Sequence, residues 1–290
     1  IPPITEKNWI YYFDLYKKIP EYKLQNFSMT LQEFKVIFWW EWAHRFLGRL
    51  IGIFFLIPLI YFSIKLGFKK LIKMHFIFLL ICFQGFIGWY MVSSGLVDRL
   101  DVSHYRLSVH LLIAFFILSL IYWNYLSINI QYKPSKGIQK SFPIFFLILI
   151  FCQIVIGAFV SGMDAGTIYN SWPLMGETYF PNDNELKNLF YFNAFDDPSL
   201  VQFMHRNLAY FIVFFYFLML YKTYSNKVIF LYFPMKVLGS LLLLQVLLGI
   251  FTLLNGAQII TASMHQISSI FLVTSSIYVL FINTKSNLQP

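Results

Sequence analysis

Apolar residues in this chain come in seven long runs, at roughly 40–64, 71–94, 104–127, 142–162, 200–221, 235–255 and 260–283. Each run is as long as the about 20 residues that carry a helix across a bilayer. A transmembrane barrel would show segments of about ten residues alternating apolar and polar instead. The pattern predicts an all-α polytopic membrane protein. Residues 1–38 break it: Glu6, Lys7, Asp14, Lys17, Lys18, Glu21, Lys23, Glu33 and Lys35 are interspersed with Pro2, Pro3 and Pro20. This stretch reads as an outer loop, folded or amphipathic, lying outside the bilayer.

Charge sets the orientation. The loops at 65–73, 128–141 and 222–236 carry Lys65, Lys69, Lys70, Lys73, Lys133, Lys136, Lys140, Lys222, Lys227 and Lys236, and the tail carries Lys285, with no acidic residue among them. Asp98, Asp101, Asp164, Glu177, Asp183, Glu185, Asp196 and Asp197 fall on the other side. By the positive-inside rule the lysine loops face the cytoplasm or matrix. The net charge of +9 is therefore a signature of topology and not of nucleic-acid binding. With 58% hydrophobic and 12% charged residues, a soluble domain is excluded. Cys82 and Cys152 lie inside apolar runs and read as small buried hydrophobes.

The chain repeats itself. His44-Arg45 matches His205-Arg206, each near the outer start of a span, and forty residues after each histidine comes a glutamine, Gln84 or Gln245. Gly88 and Gly249 follow four residues later, and each half closes with a histidine one turn into its last span, His110 or His265. A third Gln-x3-Gly, Gln153 to Gly157, lies in the 142–162 run. The repeat predicts two pseudo-symmetric four-helix bundles related by an axis along the membrane normal. The N-terminal bundle occupies 39–127 and the C-terminal bundle 142–284, with an outer loop at 163–199. On this count the first helix of the first bundle is missing upstream of Ile1, and a chain beginning with Ile reads as a fragment.

Ionisable residues inside spans are expensive, at least ~2.5–3.5 kcal/mol each at the helix centre, and mark function. Histidines 44, 110, 205 and 265 sit at matched depth near the outer face, two per half. Paired neutral imidazoles on facing helices are what six-coordinate haem iron takes as axial ligands. The residue four on from each is small, Gly48, Ala114, Ala209 or Ser269, leaving a low surface for a flat macrocycle. The competing explanations are small-residue helix packing and interhelical polar contacts. Zinc fits poorly, because the histidines are 60 or more residues apart within a half. His75 and His104 read as structural. Arg45, Arg49, Arg106 and Arg206 stand at the outer helix ends, as partners for haem propionates or as snorkelling cations. Glu41 shares a helix face with His44, whereas its repeat partner is Gln202. The first half is thus the candidate for acid–base or charge-stabilising chemistry, unless Glu41 simply pairs with Arg45. The Gln-x3-Gly pairs read as packing devices, glycine for close approach and glutamine as interhelical glue.

Phe38-Trp39-Trp40-Glu41-Trp42-Ala43-His44-Arg45 with Gly48-Arg49, Gly162-Met163-Asp164-Ala165-Gly166, Asn170-Ser171-Trp172-Pro173-Leu174-Met175-Gly176, His205-Arg206 and Met264-His265-Gln266 together resemble the heme A synthase family. The resemblance spans essentially the whole chain and is closest to the form of mitochondria and alphaproteobacteria. It implies eight spans and a membrane oxidoreductase that converts a methyl group of heme O to the formyl of heme A through a hydroxylated intermediate, for cytochrome oxidase assembly. It implies a haem b held by His205 and His265, substrate heme O at His44 and His110, and a functional role for Glu41. Arg206 is the accompanying cofactor-binding candidate. Outer-loop cysteine pairs found in some members are lacking here, so no thiol step is assigned. Expected partners are heme O synthase, cytochrome oxidase assembly factors and an unidentified electron donor, with homo-oligomerisation left open. The expected location is a bacterial inner membrane, ahead of the mitochondrial one. The rivals are a di-haem electron-transfer protein without turnover, which would place haems at both membrane faces, and a transporter or haem chaperone, which would need polar residues at mid-membrane.

Overall fold

A computed structural model describes residues 2–95, 102–130 and 136–286. Asp98, Asp101 and Lys133, used above for orientation, lie outside the described residues. The chain forms two compact units, 1–106 and 107–290. Among the described residues seven helices are long and apolar enough to cross a membrane.

In the first unit α1 (Glu6–Tyr16) and the short α2 (Pro20–Leu24) precede α3 (Leu31–Leu66) and α4 (Ile72–Gly95). The 1–38 stretch is therefore largely helical. α3 starts nine residues before the expected span because Thr30 and Glu33 cap each other's backbone in a capping box. Its 36 residues span about 54 Å, well beyond a hydrocarbon core of about 30 Å. The extension is held by a small aromatic core, Trp9 and Phe13 of α1 against Phe34 and Phe38 of α3. Burial there pushes the Tyr16 phenol up to about 12, helped by the Glu21 carboxylate it donates to and opposed by Asn26.

The second unit takes in most of α5 (His104–Asn129), with α6 (Ser141–Gly162), α7 (Pro198–Ser225), α8 (Tyr232–Leu254) and α9 (Ile259–Ser286). α6 packs on α7, α7 on α8, α8 on α9, and α9 back on α6. These four helices therefore form a closed ring, with α7 and α9 at opposite corners. Phe146, Ile150, Met219, Leu238, Val273 and Phe281 fill its core. α5 joins through Phe115 and Leu126, and Trp123 meets Phe281 edge-on at 5.1 Å. Tyr216 reaches from α7 to donate to the Met235 carbonyl of α8 at 2.8 Å. It can do so only because residue 239 is glycine: a Cβ there would lie 2.1 Å from the Tyr216 hydroxyl. Buried Asn283 clamps residue 138 by accepting from its N–H and donating to its carbonyl.

Cys82 and Cys152 differ from expectation: both are exposed on helix surfaces. In a membrane helix an apolar side chain can be solvated by lipid, so an apolar sequence position does not entail burial in protein.

Candidate functional site

The C-terminal unit brings two of the four histidines together. Asp197 caps the start of α7 by accepting from the Leu200 N–H, and Pro198 occupies the first turn, where a missing donor costs nothing. His205 lies two turns further in, and His265 lies in the second turn of α9. α7 and α9 both run from the same end of the ring and stand on diagonal corners, and each carries its histidine about two turns from that end.

Each histidine is backed by the helix before it in sequence. Gln153 Nε2 on α6 donates to the His205 carbonyl at 3.0 Å and lies 3.2 Å from the ring Nε2. Gln245 Nε2 on α8 donates to the His265 carbonyl at 3.0 Å and lies 3.3 and 3.4 Å from the two ring nitrogens. One turn on, a Cβ at Gly157 would come within 3.1 Å of His205 Cε1, and one at Gly249 within 2.9 Å of His265 Cε1. The packing role expected of Gln-x3-Gly is present, but its target is specific: two of these pairs each receive one histidine. The signal was on the chain, but nothing joined glutamine to histidine, because the separations are 52 and 20 residues.

This arrangement fits a haem. The Nδ1 of His205 is buried without a hydrogen-bond partner among the described residues, an orphaned imidazole atom of the kind that marks a site completed by a bound group. No group of three or more His, Cys, Asp or Glu side chains converges among the described residues, so a metal at these histidines would need further ligands from a bound group such as a macrocycle.

The segment between α6 and α7 caps this end of the ring. The Arg206 terminal nitrogens donate to the carbonyls of Tyr169 at 2.9 Å, Ser171 at 2.9 Å and Leu174 at 3.2 Å. Gln202, 3% exposed, donates to the Tyr169 carbonyl at 3.0 Å. The Trp172 indole donates to the Tyr210 hydroxyl at 2.9 Å, and the Tyr179 hydroxyl to Asn207. Asn170 donates to the carbonyls of Gly166 and Leu253, both at 2.9 Å, tying the segment to the end of α8 as well. Asp183 accepts from Ser199 at 2.6 Å and from Tyr169 at 3.0 Å. Burial works to raise its carboxyl, but these hydrogen bonds outweigh it and hold the group below the ordinary carboxylate value; burial and the same carboxylate push the Tyr169 phenol up. The outer loop thus covers the ring end that carries both histidines.

Arg206 is placed differently from the expectation of a cofactor carboxylate. Its terminal nitrogens serve three backbone acceptors, and Nε alone has no partner among the described residues. At a partly buried helix end the guanidinium is the donor that can satisfy several loop carbonyls at once.

The N-terminal candidates are arranged differently. Glu41 and Arg45 form an ion pair at 3.1 Å, one turn apart on α3, with side chains 55% and 46% exposed. The expected one-turn pairing is present. His44 is exposed, and among the described residues nothing lies within 4 Å of a Cβ at Gly48 or Gly52 below it. His110 belongs to the second unit, in α5. Arg106 lies over the Tyr90 ring at 4.7 Å. His75 donates from Nδ1 to the Leu71 carbonyl at 2.9 Å with Nε2 3.2 Å from Ser63, a locally satisfied side chain.

Comparison with known proteins bears on the whole chain. The COX15-CtaA family, described as cytochrome oxidase assembly protein, matches residues 1–277. A protein named heme A synthase from Pelagibacter ubique is 48% identical over 98% of this chain and 84% of its own length. Proteins of the same name from Rickettsia bellii and Wolbachia pipientis are 41% and 36% identical, over 96% and 100% of this chain and 84% and 83% of theirs. No solved structure matches.

Proposed function

The chain belongs to the COX15-CtaA family of cytochrome oxidase assembly proteins, and we propose that it is a multi-pass inner-membrane oxidoreductase converting heme O to heme A. The net change at the substrate methyl is the gain of one oxygen atom to give a hydroxymethyl group, followed by the loss of two electrons and two protons to give the formyl group, with an external oxidant as the final electron acceptor. The observation that carries this reading is the pair of histidines on diagonal helices, each backed by a glutamine and a glycine, with the His205 Nδ1 buried and unpartnered among the described residues.

His205 and His265 hold a haem b, which supplies one-electron transfer when bound. Gln153 and Gln245 hold the ligands' backbone, and the 163–197 segment, latched by Arg206 and Gln202, keeps water from that end of the ring. His44 and His110 serve the substrate haem; this assignment follows the sequence repeat, in which they are the counterparts of His205 and His265. Glu41 acts on the substrate side, taking a proton or stabilising positive charge that develops at the oxidised carbon. Its pairing with Arg45, one turn on, holds the side chain on the helix face it shares with His44. The acidic-loop face, which carries the histidines, is the outer face of the membrane.

The test is expression of the full-length protein with a source of heme O, followed by chromatography of the extracted haems. Heme A or the hydroxylated intermediate is the expected product. Neither appearing from well-folded protein overturns the enzyme reading and leaves an electron-transfer protein.

A further inference from the structure

The third Gln-x3-Gly pair has no counterpart within the repeat read from sequence, yet in the structure it has the same neighbour as another pair, a histidine. We propose that Gln153/Gly157 and Gln245/Gly249 are positioning devices that set the ring orientation of His205 and His265, and that they are built unequally, fixing His265 and leaving His205 adjustable. The proposal rests on the reading of these histidines as haem ligands.

The common part is a two-point grip. The glutamine amide donates to the histidine's main-chain carbonyl at 3.0 Å in both cases, using the lone pair left over from the helical hydrogen bond. The same amide nitrogen lies against the ring, at 3.2 Å from His205 Nε2 and at 3.3 and 3.4 Å from the nitrogens of His265. One turn along the same face, the glycine forms the floor beneath Cε1. The backbone bond fixes where the amide sits, and the amide against the ring edge with the glycine under Cε1 then limits how the ring can turn. Either contact alone would leave the ring free to turn.

The unequal part is Ser268. It donates to Gln245 Oε1 and lies 2.9 Å from the His265 carbonyl, so the oxygen end as well as the nitrogen end of that amide is held. Three residues after His205 the chain has Leu208, and Gln153 Oε1 is buried with no partner among the described residues. One amide is held at both ends and the other at one. Partners that orient a metal-ligating imidazole tune the metal without touching it.

The angle between two axial imidazole planes governs the g anisotropy of low-spin ferric haem, which gives a readout independent of turnover. The experiment is low-temperature electron paramagnetic resonance, with redox titration, on the full-length haem-loaded protein and its Gly157→Ala, Gly249→Ala, Ser268→Ala and Ser268→Thr variants. Gly249→Ala, with the tighter contact, is expected to shift the largest g value more than Gly157→Ala, at unchanged haem content. Ser268→Ala is expected to broaden the signal and shift the midpoint potential, and Ser268→Thr to restore both. If the glycine variants lose haem, Ser268→Ala decides alone, since it removes a single hydroxyl. Unchanged g values and potential in Ser268→Ala overturn the proposal while the ligand reading stands. A wild-type protein with no bis-histidine low-spin signal, or a His205→Ala variant that keeps it, overturns the ligand reading itself.

Discussion

α3 and α7 carry the same His-Arg dipeptide, more than three turns into α3 and two turns into α7, and use it in opposite ways. On α3, Arg45 turns back one turn to Glu41, and the pair stays at the surface. On α7 the residue one turn back from Arg206 is Gln202, which offers no charge. Arg206 instead reaches the 169–174 backbone and satisfies three carbonyls, with Gln202 donating to one of them. A carboxylate at 202 could not make that bond, since it has no hydrogen to give. One amide in place of one acid thus reassigns the neighbouring arginine from an intrahelical ion pair to a loop latch. It leaves the α3 end with an exposed carboxylate and the α7 end capped.

If the α3 end performs substrate chemistry and the α7 end holds a resident haem, Glu41→Ala should lower product formation by about 10²–10⁴-fold, the usual contribution of a positioned acid–base group. The bound haem spectrum should remain. Loss of that spectrum in Glu41→Ala would reverse the division of labour. The two arginines should differ next. Arg206→Ala strips three carbonyls of a charged donor, each such bond being worth about 1.5–3 kcal/mol, and should lower the thermal midpoint of the purified protein and open 163–197 to protease. Arg206→Lys should recover only part of this, because an ammonium lacks the planar fork. Arg45→Ala breaks an exposed pair and should cost under about 1 kcal/mol. Equal costs for the two arginines would remove the contrast.

Gln202→Glu should make the α7 end resemble the α3 end: the new carboxylate captures Arg206, the Tyr169 carbonyl loses a donor, and the latch weakens by about 1–3 kcal/mol, read by proteolysis of the loop. The smallest effect expected is that of pH on the cap. Asp183 is depressed below its ordinary 3.8, so its stabilisation is complete above that pH and is lost as pH falls through the folded value. Tyr169 is raised above its ordinary 10.0, so its contribution is present below that pH and is lost as pH rises through the folded value. The cap should resist protease best between these limits, and Asp183→Asn should flatten the acid side of the profile.

Much of this was legible along the chain. The seven spans follow from run length, and the four histidines stood out because a titratable side chain in an apolar run is costly. Other features were hidden for identifiable reasons. The α3 extension was read as loop because a helix outside the membrane needs no long apolar run, only a cap and a small aromatic patch such as Trp9 on Phe38. The loop carbonyls that Arg206 serves are not legible in the sequence, because a side chain's type says that it donates, not to whom. The Ser268–Gln245 contact was invisible because Ser268 differs from the other serines of its span only in what faces it.

By itself the sequence determined the membrane class, the number of spans described and the family. All of these depend on composition, run length and local spacing, which a chain carries before it folds. Only the tertiary structure decided that α7 and α9 stand on diagonal corners, that each of their histidines rests on a glutamine and a glycine from the preceding helix, and that Arg206 and Gln202 close the loop. These are pairings between residues separated by 20 to 52 positions in the chain, and their partners are chosen by which helix faces pack together.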